Sequence, residues 1–302
     1  MTYEPQFTLR QLAHFVAVAD HGSVQAAAAA SAVSQSALSH GLSALERAVG
    51  SQLLLRRQSH GATLTAAGRQ LAGRARILLR EAEHLLELSE SSDDIAGVVR
   101  VGASATLAPM VLPKLIRAVT DRFPRLRIET LIGTGDDSLQ RLRASEIDAA
   151  FIAGRVSSDY ETLPLFRLQA HAILPLGHPL ADREQVDLRE LADEPYVEMD
   201  TDSARRFSRE VFVRSGVEPI IGHRAGTVEL VRGLIAQGLG YGVQILPPGS
   251  SRNGSDGLVV LPLIDGENLS SPLLLATLGA VRVSPQTEAV LKIAEEIYSL
   301  EP

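Results

Sequence analysis

At 302 residues the chain has room for two or three folded units, and a 45% hydrophobic content supplies them with cores. A formal net charge of −7 excludes a general polycation that coats nucleic acid, and the lack of cysteine excludes thiolate catalysis, disulfide scaffolds and every cysteine-ligated zinc or iron–sulfur site. The first twenty residues have neither a basic start nor an unbroken apolar stretch, and no later run approaches the ~18 apolar residues of a membrane span. A soluble, cytoplasmic protein is expected. Charge is uneven: residues 1–80 hold eight Arg and no Lys against Glu4, Asp20 and Glu46, a balance of +5, which leaves 21 basic and 33 acidic residues and −12 for the remainder. The amino-terminal segment is therefore the polyanion-facing candidate.

In chain order, Leu12, Phe15, Val16 and Ala19 recur at helical spacing from Leu9, and Asp20-His21-Gly22 supplies a stop. Ser23 can cap a short alanine-rich helix over 24–30, whose small side chains admit a close neighbour. Ser34 can cap a third helix to about Val49, with Ala37, Leu38, Leu42, Leu45 and Val49 inward and Gly50 at its end. Its other face carries Gln35, Ser36, Ser39 and His40. Small polar side chains over the first turns of the second of two closely joined helices suit entry into a DNA major groove, where acids repel the duplex and bulk clashes. Simple capping by Ser34 and Ser36, with His40 an ordinary surface histidine, explains the same residues.

The order of motifs over residues 7–68 is more specific. Leu9 with Phe15, the small pair Ala26-Ala27, Val33-Ser34-Gln35, Leu38-Ser39, Leu45-Glu46, Gly50, Leu53-Leu54, Arg56 and Leu64-Thr65-Ala67-Gly68 together resemble the winged helix-turn-helix of LysR-type transcriptional regulators. Leu54 stands where Phe is commoner, and Ser36 where Pro is frequent. The resemblance implies a DNA-binding domain over 1–65, with Ser34, Gln35, Ser36, Ser39 and His40 at the groove. It places Arg56 in the wing; Arg57 and His60 beside it would add attraction to phosphates.

Thr65 can cap a helix running to Glu90, along which Leu71, Ala75, Leu78, Ala82, Leu85 and Ser89 are spaced 4, 3, 4, 3, 4. Such a seam either packs on the chain's own globular part or pairs with another helix. The resemblance implies pairing: residues 66–93 would be a linker that joins two subunits into a homodimer or homotetramer on a dyad-related site.

Beyond a polar hinge, strand and helix alternate. Residues 98–102, 126–132 and 149–153 read as strands separated by helices 107–122 and 138–145, the pattern of βα units with a parallel sheet. Residues 168–174, 196–199, 220–225, 242–246, 258–263 and 273–278 continue the strands, with helices over 203–215, 228–237 and 287–300. Open α/β sheets bind small molecules beyond the carboxyl ends of strands, where helix N-termini present N–H groups to anions. Ser104, Thr106, Thr134, Thr201, Ser203 and Thr227 sit at such ends, although each also makes a plain N-cap. The resemblance implies a mixed α/β, periplasmic-binding-protein-like effector domain over 94–302. Its two lobes (94–165 with 267–302, and 166–266) would be crossed near 165–168 and 263–267 and would hold a small anionic metabolite between them.

No enzyme constellation stands out. The glycines of Gly238-Leu239-Gly240-Tyr241-Gly242 follow a helix and precede a strand, the reverse of a dinucleotide site; HExxH and GxSxG are missing; Asp136-Asp137 reads as a turn and cap. No cofactor or metal is expected. The partners expected are promoter DNA, a small-molecule effector, further copies of the chain and RNA polymerase, with no membrane. A binding protein without regulatory duty, or an enzyme using the same cleft, are the alternatives.

Overall fold

The computed structural model describes residues 6–56, 61–87, 95–250, 256–264, 269–279 and 283–298. The head consists of α1 (Leu9–His21), α2 (Val24–Ala30) and α3 (Gln35–Val49), then a hairpin of β1 (Leu54–Arg56) and β2 (Ala62–Leu64). Each helix starts where a hydroxyl accepts an otherwise unpaired backbone N–H: Thr8 from Gln11 (3.2 Å), Ser23 from Ala26 (3.0 Å), Ser34 from Ala37 (3.2 Å). Leu12, Phe15, Val18, Ala27, Leu38, Leu42, Leu45, Leu53 and Leu54 form one buried core. Ala37 and Val49, expected inward, are exposed, because one lies a helical step toward the polar face and the other at the Gly50 stop. Glu46 ties α3 to the hairpin, its carboxylate accepting from the N–H groups of Leu53 (2.8 Å) and Leu54 (3.2 Å).

A long helix, α4 (Ala66–Glu87), leaves the head through a tight junction. Thr65 accepts from the Gly68 N–H (2.9 Å) and donates to the Gln52 carbonyl (2.8 Å). A Cβ at Gly68 would sit 2.1 Å from the Leu53 carbonyl oxygen, so only glycine lets the helix approach the hairpin this closely. The expected seam divides here. Ala75 is buried and Leu71 half-buried in the head's own core, beside Ala72 and Leu79, whereas Leu78 is 44% exposed and Ala82 half-buried. Of the seam positions described, Leu78 is thus the first left exposed. The side chain of Leu85, and the helix's expected extension to Glu90, fall outside the described residues.

The remaining chain forms β3 (Gly97–Ser104), α5 (Ala108–Arg122), β4 (Leu126–Gly133), α6 (Gly135–Arg143), β5 (Ala149–Ala153) and β6 (Tyr160–Pro175). It continues through β7 (Pro195–Met199), α7 (Asp202–Ser215), β8 (Ile220–Ala225), α8 (Val228–Ala236), β9 (Gly242–Leu246), β10 (Leu258–Pro262), β11 (Ser271–Leu278) and α9 (Pro285–Tyr298). A mixed sheet runs β10-β6-β11-β5-β3-β4, with β9 also on β6, while β7 and β8 pair separately and in parallel. The early βα units give the parallel pairs β3/β4 and β3/β5; β11 returns antiparallel between β5 and β6.

β6 is the organising strand. Residues 160–168 pair with β11 and contribute Leu165 and Leu168 to a first core with Val101, Leu115, Phe151, Leu273 and Tyr298. Residues 169–175 pair with β9 and β10 and contribute Ala170, Ala172 and Leu174 to a second core with Tyr196, Phe212, Tyr241 and Val259. The crossing expected at 165–168 is therefore the middle of one sixteen-residue strand, longer than the 168–174 read from the sequence. The α6 helix also begins earlier than position 138, since Thr134 and Asp137 close a reciprocal cap around its first turn. The two large units meet at Arg76 of α4. Its half-buried guanidinium donates to the Ala144 carbonyl (2.9 Å) at the end of α6, pairs with Asp20 of α1, and lies 3.9 Å from Glu146.

Candidate nucleic-acid interface and ligand cleft

On the head, α3 turns Leu38, Leu42 and Leu45 into the core and leaves Gln35, Ser36 and His40 exposed and Ser39 half-buried on the opposite side. Ser34 spends its oxygen on the cap and lies 3.1 Å from the Ser36 hydroxyl, so both the capping and the surface readings of this face hold. Arg56 is on β1; its side chain, and all of Arg57 and His60, lie outside the described residues. Gly41, in mid-helix, faces α1, where a Cβ would meet His14 at an ordinary 3.8 Å. Space does not demand glycine there.

Ser104, Thr106, Thr134, Thr201, Ser203 and Thr227 all line one cavity of about 350 Å³ between the two cores of the α/β region. Its remaining wall is largely apolar, with Phe151 from the first core, Tyr196, Phe207 and Val243 from the second, and Ile152 and Ile173 from smaller clusters beside them. The hydroxyls have local work. Ser104 accepts from Leu107 (3.2 Å), Thr134 from Asp137 (3.0 Å), Thr201 from Ala204 (3.4 Å) and Thr227 from Leu230 (3.3 Å). Thr134, Thr201 and Thr227 therefore cap helices and line the cavity at once, whereas α5 begins at Leu107 without a side-chain cap and Ser203 lies inside α7, so Ser104, Thr106 and Ser203 are not the N-caps expected of them.

Among the lining residues missed from the sequence are Arg232 on α8 and Gln244 on β9. The signal was present: an arginine inside VELVRGLIA and a glutamine inside the apolar strand GVQIL. Arg232 donates from Nε and Nη2 to Asp256 (2.9 and 2.7 Å), and its Nη1 lies 3.5 Å from the Gln244 Oε1. Across the cleft, Arg206 of α7 pairs with Asp136 of α6 at 3.1 Å. Asp137, its neighbour, accepts from the backbone and hydroxyl of Thr134, and these bonds hold its carboxyl below the usual aspartate range. The acid pair is thus a cap and a bridge. Burial pushes the Tyr196 phenol up to about 12, so it lines the cavity as a neutral group. Gly238 (φ 74°) ends α8, and a Cβ at Gly240 would lie 2.1 Å from the Pro195 carbonyl oxygen, which explains the glycine string without a nucleotide.

His171 is buried under this wall. On β6 it pairs in register with Gln244, its Nδ1 contacts the Gln169 carbonyl at 2.9 Å, and its Nε2 has no partner among the described residues. Desolvation lowers its pKa. Among the described residues no group of His, Asp and Glu could hold a metal ion, and no helix is long and apolar enough to cross a membrane.

Residues 9–69 match the family model of the bacterial regulatory helix-turn-helix protein, lysR family, and residues 92–298 match the LysR substrate binding domain. The chain belongs to the LysR family of DNA-binding transcriptional regulators. It is 30% identical over 259 residues to a hydrogen peroxide-inducible genes activator of Pectobacterium carotovorum subsp. carotovorum, covering 84% of this chain and 85% of that protein. Among solved structures, the LysR family transcriptional regulator HinK from Pseudomonas aeruginosa shares 31% identity at a TM-score of 0.61, over 97% of this chain and 98% of its own. A full-length OxyR variant from Pseudomonas aeruginosa, at 23% identity, shares the fold with a TM-score of 0.75 over 98% of this chain and 99% of its own. The LysR-family chain described here thus carries both the DNA-binding and the substrate-binding modules.

Proposed function

We propose that this LysR-family regulator reads promoter DNA through α3 and is controlled by a small anionic metabolite held in the cavity between its two α/β cores. Gln35, Ser36, Ser39 and His40 select the sequence, while Arg56, Arg57 and His60 attract the phosphates. Paired subunits, joined along α4 from Leu78 onward as a homodimer or homotetramer, set two heads on a dyad-related operator. The observation that carries the effector half of this reading is the cavity itself, where six hydroxyl residues from four segments converge against an apolar wall.

The peroxide-linked name of the relative does not transfer by its simplest chemistry. Peroxide signalling through a protein thiol needs a thiolate, and this sequence has no cysteine; its three methionines are its only sulfur side chains. A bound molecule that touches both cores can shift the head arrangement only in so far as it binds one lobe geometry better than another. Fluorescence anisotropy with DNA from upstream of its own gene tests the reading. Sequence-selective binding is expected, with Gln35→Ala relaxing one base position and Arg56→Ala weakening all sites and reducing the salt slope by about one. Equal affinity for operator and scrambled DNA overturns it.

A further inference from the structure

Helix N-termini were the expected seat of the anion, yet three of the four at this cavity are already answered from within. Asp136 and Asp137 occupy the first turn of α6, Asp202 that of α7 and Glu229 that of α8. Acidic side chains there oppose the positive dipole ends and would repel a second negative charge. Arg232 and Glu229 are the charged groups of the cavity wall among the described residues, so Arg232 is its one cation.

Arg232 is built to stay in place. Asp256 takes its Nε and Nη2 edge, which fixes the plane of the guanidinium and leaves Nη1 turned toward Gln244, itself a cavity residue. The Gln244 amide accepts from Arg232 with its oxygen, so its NH₂ group remains a donor beside the same spot. The same cavity is lined by Phe151, Ile152, Ile173 and Phe207, which can receive only hydrocarbon.

Resting on the cleft reading above, we infer that Arg232 and Gln244 receive the carboxylate of the effector, and that the effector is a small carboxylic acid with an apolar body. A carboxylate accepts two donors side by side, which a guanidinium nitrogen and a neighbouring amide supply. Asp256 acts as a positioning residue, holding Arg232 without reaching the ligand.

The test is isothermal titration of the purified full chain with straight-chain C4–C8 acids and phenyl-substituted short-chain acids, each beside its primary amide. The native chain should bind at least one acid at least tenfold more tightly than the matching amide. Arg232→Gln should bring acid and amide within twofold of each other, with circular dichroism showing that the variant remains folded. Equal binding of acid and amide by the native chain, or a tenfold preference retained by Arg232→Gln, overturns the inference while leaving the cleft reading standing. Failure of every acid and every amide to bind removes the cleft reading and this inference together.

Discussion

The head and the cleft both begin from serines and threonines at helix starts, but they use them in opposite geometries. In the head, Ser34 caps α3 and the neighbouring Gln35, Ser36 and His40 stand exposed together on one continuous helix. In the cleft, Ser104, Thr106, Thr134, Thr201, Ser203 and Thr227 come from segments spread over more than a hundred residues and close around a space of about 350 Å³. The lesson is about tolerance. An exposed face on one helix survives small shifts of everything else, whereas a concave site depends on two cores keeping their relation across β6, a strand that contributes to both.

Breaking the head should therefore leave the cleft intact, and the largest effect expected is at the junction of head and stalk. Gly68→Ala places a methyl group against the Leu53 carbonyl and should destabilise the head by about 3 kcal/mol, read by denaturant unfolding, while ligand titration of the α/β region stays unchanged. A loss of both activities together would show that the two regions unfold as one unit. Next in size, Gln35→Ala should cost about 2 kcal/mol of operator discrimination at one base position, checked with a panel of single-base operator variants. On the cleft side, Thr134→Ala removes a reciprocal cap and should cost about 1 kcal/mol of stability, measured by thermal unfolding, with operator affinity in the absence of ligand unchanged.

Two histidines sharpen the comparison through pH. His14 of the head and His171 of the cleft both have pKa values lowered chiefly by desolvation, but His171 is fully buried and His14 only partly so. Below the ordinary value of 6.5 the unfolded chain takes up the proton first, so stability is fully present above that pH and is lost as pH falls toward the folded-state pKa. The slope contributed by His171 is bounded at about 1.4 kcal/mol per pH unit, and His171→Asn should remove more of the loss between pH 6.5 and 5 than His14→Gln does. Unfolding curves at half-unit intervals check this; equal effects from the two substitutions would mean that burial does not distinguish them.

The same contrast explains what could be read from the sequence. The head's helices, their caps and the exposed polar side of α3 were legible because each signal is local: a capping serine, apolar spacing of 3 and 4, a glycine stop. The α/β alternation was legible for the same reason. The six cleft hydroxyls were found through their helix starts, but Arg232 and Gln244 were not, since nothing within α8 or β9 says that they meet Asp256 and one another. The apolar seam of α4 also misled in part. Leu71 and Ala75 fit a pairing helix, yet the head's core claims them, because a heptad pattern records burial without naming the partner. The length of β6 was hidden likewise: Pro164 and the charged residues Glu161 and Arg167 interrupt its apolar pattern, and β11 supplies the ladder that keeps it extended.

The most direct test of the whole account is an anisotropy titration of a labelled fragment from upstream of the gene against a scrambled duplex of equal length, in ~0.15 M salt. The account predicts a preference of about a thousandfold or more for the native fragment, with a slope of affinity on salt that both duplexes share. Indistinguishable affinities for the two duplexes would contradict it.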